Sequence, residues 1–260
     1  TCPIYGGTGS AGSHSDGNVS ILQSLQDAGY KTNETLSNMY TEYCAERPTI
    51  SMSAQDWSLP EPNMKHYTDD IMNEAKDFSD TAMVVLGRPG GEGADLPTNM
   101  SAVINGTYNQ GLATSNAPAN WRYMNATYTN NGSYDDFEEG ESYLEPSVTE
   151  EQLIEKVCSE FDNVIVVINA NNTMELGWVD NYEQIKSVIL APGAGETGFT
   201  ALGEILNGTV NPSGKTADTY VKNLLSTHYI NNIGNFPYTN VDDLKAQALA
   251  TDSSYKGNVS

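Results

Sequence analysis

The stretch "VTEEQLIEKVCSEFDNVIVVINA" (residues 148–170) sets two patterns back to back. Its first part, "VTEEQLIEKVCSEF" (148–161), is helical. Thr149 with Gln152 three residues on is read as a capping box, in which side chains satisfy the free N–H groups of the first turn. Cys158 falls in the apolar helical pattern and is assigned to the core. The second part, "NVIVVINA" (163–170), is rich in Val and Ile and has strand length. It lacks polar alternation, so both of its faces are predicted to be covered.

Working outward, the same order repeats. "YTDDIMNEAKDFSD" (67–80) reads as a helix that runs into "TAMVVLG" (81–87), another apolar strand. "VDNYEQI" (179–185) is a short helix before the strand "SVILAPG" (187–193). Upstream, "DGNVSILQSLQDAG" (16–29) puts Val19, Leu22 and Leu25 on one helical face, with Asp16 as its cap. "ETLSNMYTEYCAE" (34–46) is a second helix. "FTALGEILNG" (199–208) is a helix closed by Gly208, and "ADTYV" (217–221) is a last short strand. Helices alternating with apolar strands predict an α/β fold: a three-layer α/β/α sandwich on a mainly parallel, doubly wound sheet of about five or six strands. The sandwich is expected to occupy residues 1–222, with a polar insertion at 98–142 and a linker or tail at 223–260 leading to further domains.

Composition narrows the function. Twelve basic residues face 34 acidic ones, for a formal charge of −22 over 260 residues. Such a field repels phosphate backbones and anionic lipid, so neither nucleic acid nor membrane is an expected partner, whereas a neutral sugar is compatible. No apolar stretch approaches transmembrane length. No signal peptide is visible, which says little for a chain starting at Thr1; a cytoplasmic setting is favoured over a secreted one. Cys2, Cys44 and Cys158 are odd in number and form no CxxC, so neither a disulfide framework nor a zinc site is expected. His14, His66 and His228 form no ligand pair, and no metal or other cofactor is expected.

Three predicted strands end in distinctive turns: "GRPGGEG", "NANNTMELGW" and "APGAGETG". Ligands in open α/β sheets bind beyond such ends, which right-handed crossovers bring to one edge. "GAGETG" (193–198) has the spacing of a dinucleotide fingerprint, yet it follows a late strand and carries Glu196 where a pyrophosphate would lie. "NPSGKT" (211–216) imitates a phosphate loop but has its first glycine misplaced and precedes a strand, not a helix. "GRPGGEGADLP" (87–97) suits phosphate badly because Glu92 sits at its centre. A carboxyl on a glycine turn suits a general acid when its surroundings raise its pKa; taken alone, a solvated loop acid reads equally well.

The ensemble is more specific. "YGGTGSAG", "VVLGRPGGEGADL", "YLEPSVTEEQLI", "VIVVINANNTMELGWV" and "ILAPGAGETGFTALGEILNGTVNPSGK" occur in this order over roughly residues 5–220. Together they resemble the sandwich domain of glycoside hydrolase family 3, the β-glucosidase family. The resemblance implies a retaining glycosidase in which a TIM-barrel domain carries the aspartate nucleophile and the sandwich supplies the acid/base glutamate. Carried to this sequence, the glutamate of the "GEG" segment is Glu92. Arg88 and Asp95 match flanking positions and would orient the loop or the sugar. Nothing in the chain resembles the barrel, so it is expected to be an inactive half-site, with a β-glucoside or related oligosaccharide and the barrel of the same parent as partners. "NFPYTNVDDL" (235–244) resembles sequence in bacterial relatives that place the sandwich first. Within the insertion, Trp121 and Tyr123 would stack on a sugar. Asn171, with Asn169 and Asn172 beside it, would meet sugar hydroxyls, although asparagine also favours turns for local reasons. Trp178, Trp57 and Glu61 are assigned to packing. Two other functions stay open: a non-catalytic carbohydrate-binding or assembly domain in which Glu92 is incidental, and a nucleotide-binding domain using "GAGETG".

Overall fold

A computed structural model describes residues 2–7, 12, 17–45, 58–59, 61–90, 96–107, 136–228, 240–251 and 253–254. Within them, β1 (Thr81–Arg88), β2 (Asn163–Ala170) and β3 (Ile185–Leu190) form one parallel sheet in the order β1-β2-β3. Arg88 stands in register with Ala170, so the first two strands finish level. The described residues hold these three strands, against the five or six expected. Residues 217–221 are not a strand. The Leu176 N–H donates to Val221 O at 3.0 Å, so this short polar segment docks on the turn after β2 instead of on a sheet edge.

The period of two along the strands sends side chains alternately to two cores. Val84 and Leu86 of β1 join Val164, Val166 and Ile168 of β2 in the larger core. Against them pack Leu153, Ile154, Val157 and Cys158 of α5 (Val148–Glu160), Met72 of α3 (Asp69–Phe78), and Leu36, Met39 and Tyr40 of α2 (Glu34–Ala45). Met83, Val85 and Ile189 face the other way, toward Ile21 and Leu25 of α1 (Ile21–Asp27) and Phe199 with Leu202 and Leu206 at α6 (Thr200–Leu206). Helices therefore cover both faces, as two-sided apolar strands require.

Several local signals moved. Ser20, not Asp16, caps α1, its Oγ accepting from Gln23 N at 3.0 Å; Asp16 lies outside the described residues. The capping box of α5 is Ser147 with Glu150, two residues upstream of the expected Thr149 and Gln152. Cys158 is buried as expected. Cys2 and Cys44 are joined in a disulfide, which corrects the expectation of none. Their 42-residue separation hid a proximity that folding creates by laying the N-terminal segment beside α2. The bond also weighs against a cytoplasmic setting, because disulfides persist in oxidising compartments.

The insertion is tied down at both ends. α4 (Met100–Ile104) follows β1, and its Met100 and Val103 pack with Leu59, Phe137 and Tyr143 in a small second core. In the expected tail, Leu224 is fully buried and α7 (Val241–Thr251) adds a helix.

Candidate active-site edge

The carboxyl end of β1 is built on Arg88. Its side chain has no exposed surface, and each of the five guanidinium N–H groups has an acceptor. Nη1 and Nη2 reach Glu150 Oε1 and Oε2, both at 2.6 Å. Nε donates to Tyr143 O at 2.6 Å, Nη2 to Glu145 O at 2.7 Å and Nη1 to Gly87 O at 2.9 Å. The Tyr143 ring lies 5.5 Å from the guanidinium carbon. Glu150 is equally buried, and its Oε2 also accepts Ser147 N at 2.9 Å. One carboxylate thus closes the cap of α5 and neutralises the last residue of β1. Planar two-point pairing of this kind suits arginine and not lysine. Arg88 is turned inward: it can orient the loop, and it offers no donor to a sugar.

At the end of β2 the polar groups are asparagines. Asn169 is fully buried. Its Oδ1 accepts Ile4 N at 2.6 Å, and its Nδ2 donates to Ile4 O at 3.1 Å and Ala191 O at 2.9 Å. It pins the N-terminal segment and the end of β3 together in the manner of a strand residue. Asn171 is exposed and accepts Gly193 N at 2.7 Å. Asn172 leans on Gly90, where an added Cβ would overlap its Nδ2. That Nδ2 is buried, and no acceptor meets it.

The turn after β3 uses its own donors. Gly193 N is held by Asn171, Gly195 N donates to Tyr5 O at 2.7 Å, and Gly198 N to Ala194 O at 3.0 Å. Gly195 has φ of +61°, a conformation glycine adopts without strain. A pyrophosphate would find the three glycine N–H groups already engaged, which removes the physical basis of the fingerprint reading. "NPSGKT" is exposed and leads into neither helix nor strand.

The three strand-end turns thus converge on one edge, joined there by the "IYGG" segment near the start of the chain. Glu92, Asp95, Trp121 and Tyr123 lie outside the described residues. Trp178 is partly buried against the larger core, and its indole donates to Glu175 O at 2.9 Å. Among the described residues no group of His, Cys, Asp and Glu is disposed to hold a metal.

Glu61, assigned to packing, proves to be a buried carboxyl. Tyr40 donates to its Oε1 at 2.7 Å, and Tyr67 bonds the same oxygen. Burial, the largest cause, raises its pKa to about 7, and the two tyrosine donors only partly offset this. Both tyrosines are pushed well above the ordinary phenol range, first by burial and then by the charge on Glu61. A loop position gave no sign of this cluster. Glu150 was also missed, and the Ser-x-x-Glu spacing from Ser147 was its signal.

Comparison with known proteins gives the family of the chain. The model of the glycosyl hydrolase family 3 C-terminal domain matches residues 2–256. A β-glucosidase A of Butyrivibrio fibrisolvens is 28% identical over 188 residues, 71% of this chain and 19% of that protein. A β-glucosidase of Ruminococcus albus is 26% identical over 217 residues, 82% of this chain and 18% of that protein. The chain therefore spans about a fifth of the length of these relatives. The solved structure of a β-glucosidase from Paenibacillus barengoltzii superposes with a TM-score of 0.61 at 23% identity, covering 89% of this chain and 21% of that one, a likeness of fold.

Proposed function

Because the chain belongs to glycosyl hydrolase family 3, as its C-terminal domain, we propose that it supplies the general acid/base, Glu92, to the active site of a retaining β-glucosidase. The nucleophilic aspartate belongs to a TIM-barrel domain of the same parent. The observation that carries the reading is the anchoring of the turn. β1 ends in an arginine with every donor engaged, and the chain leaves that fixed corner four residues before Glu92. A proton donor must be held to within hydrogen-bond reach of the leaving oxygen, and a rigid strand end provides such a base.

In the first half-reaction the barrel carboxylate attacks the anomeric carbon, while Glu92 gives its proton to the departing oxygen. A covalent glycosyl-enzyme forms and the alcohol leaves. In the second, the Glu92 carboxylate takes a proton from water, whose oxygen attacks the anomeric carbon and releases the barrel carboxylate. The two carboxyls should lie about 5–5.5 Å apart. Asp95 would orient the loop or the sugar, Asn171 would bind hydroxyls from the end of β2, and Trp121 with Tyr123 would stack on the far end of the substrate.

The test is kinetic. The purified chain should show no turnover of aryl β-glucosides, while the full-length parent is active. Glu92→Ala in the parent should lower turnover by about 10²–10⁴-fold for poor leaving groups and far less for good ones. Equal losses for both kinds of leaving group would remove the acid/base assignment.

A further inference from the structure

Residues 2–7 form neither helix nor strand, yet they cross the carboxyl edge of the sheet from one core to the other. Cys2 is bonded to Cys44 of α2, the helix packed on the larger core. At the end of β2, Ile4 N donates to Asn169 Oδ1 at 2.6 Å, and Asn169 Nδ2 donates to Ile4 O at 3.1 Å. Tyr5 O accepts Gly195 N at 2.7 Å, and the Tyr5 ring meets Phe199 of the smaller core edge-on at 5.6 Å between centroids. Gly6 lies so near Gly193 that a Cβ on Gly193 would stand 3.1 Å from its Cα. This strap therefore holds the turn after β3, and the disulfide ties its first residue to the opposite face. A segment without secondary structure of its own loses conformational entropy on ordering, and a cross-link lessens that loss. Cys2 and Cys44 are both partly exposed, whereas Cys158 is buried. A dithiol in solution can reach the bond.

We propose that the Cys2–Cys44 disulfide is a reducible latch on the carboxyl edge: oxidised, it holds residues 2–7 against Asn169 and Gly195; reduced, it lets the strap lift and the turn after β3 loosen. The step needs a dithiol reductant. Its thiolate attacks one sulfur, the S–S bond breaks and a mixed disulfide forms, and the reductant's second thiol then displaces that cysteine. Two electrons pass to the pair, Cys2 and Cys44 each end with a proton, and the reductant leaves as its own disulfide. With the strap lifted, Asn169 loses the partner of its Oδ1 and one of the two on its Nδ2, and Gly195 N loses its acceptor. The change reaches Asn171 as well, because its Oδ1 accepts Gly193 N in the same turn. The effect on turnover rests on the reading of this edge as the side that meets the sugar; the effect on the strap does not.

The experiment uses the full-length parent, oxidised and in excess dithiothreitol, with thiol labelling to count free Cys2 and Cys44. Amide hydrogen exchange would be followed in peptides covering 2–7 and 193–199, together with kcat/KM on an aryl β-glucoside. Reduction should speed exchange in both peptides and lower kcat/KM by at least about fivefold, the scale of coupling between linked sites. Reoxidation should restore both. Parent carrying Cys2→Ser and Cys44→Ser should match the reduced protein and ignore dithiothreitol; if it fails to fold, reversible reduction of the native parent carries the test. Unchanged exchange with both thiols free would overturn the latch, as would a pair that stays oxidised in the native parent under excess dithiothreitol. Faster exchange with kcat/KM unmoved would uphold the latch and remove the reading of this edge as the substrate side.

Discussion

At the end of β1 a charged side chain is buried with every hydrogen bond made; one strand over, at the end of β2, three neutral amides run from fully satisfied to unsatisfied. Arg88 and Glu150 are both inaccessible and answer each other oxygen for nitrogen. Along Asn169, Asn171 and Asn172 the engagement thins from three bonds to one to a bare Nδ2. The difference separates polar groups that hold the edge from polar groups held ready at it. A full complement of partners marks construction, and a buried donor without one is a departure that native interiors seldom carry.

Breaking the satisfied side should have the largest effect on stability. Arg88→Ala or Glu150→Ala leaves a buried charge alone, and unfolding free energy should fall by about 3–5 kcal/mol in denaturant titrations. A loss under about 1 kcal/mol would mean that solvent already reaches the pair. The segment bonded to Asn169 is held by a second device, since Cys2 lies two residues before Ile4 and is bonded to Cys44. Cys2→Ser should cost about 2–4 kcal/mol by freeing that loop in the unfolded chain. Unchanged melting under reducing conditions would contradict this.

Glu61 sharpens the comparison, because it is a buried acid with tyrosines where Glu150 has an arginine. Its folded pKa is about 7 against an ordinary 4.5, so folding favours the neutral form. The stabilisation is complete below pH 4.5 and is lost as pH rises through 7. Relative to Glu61→Gln, the native protein should lose on the order of 3 kcal/mol across that interval. Parallel stability curves for the two proteins over the same range would show that Glu61 is not held neutral.

Much of this fold was legible because periodicity survives folding. "NVIVVINA" reads as a strand covered on both sides, and β2 spans those residues. The helix–strand order around it follows from short connections. Other features depend on contacts between distant segments and leave little local trace. The Cys2–Cys44 pair and the Glu61–Tyr40–Tyr67 cluster exist only once the chain is folded. The cap moved from Thr149 to Ser147 because two overlapping Ser/Thr-x-x-Glu/Gln frames compete, and the Arg88 pairing with Glu150 decides between them. At the site, the convergence of the three turns followed from parallel topology. The inward turn of Arg88 and the bare amide of Asn172 did not, since both depend on side-chain packing.

The central claim, that this domain lends a proton donor to a site completed elsewhere, is tested most directly by chemical rescue. Full-length parent carrying Glu92→Ala would be assayed on an activated aryl glucoside with and without azide, and the products separated. The account predicts that azide raises the rate and yields β-glucosyl azide, as expected when an anionic nucleophile that needs no general base takes the place of water at the glycosyl-enzyme and releases the barrel carboxylate. Unaltered rate and glucose as the sole sugar product, from a variant that turns over as fast as the native enzyme, would contradict it.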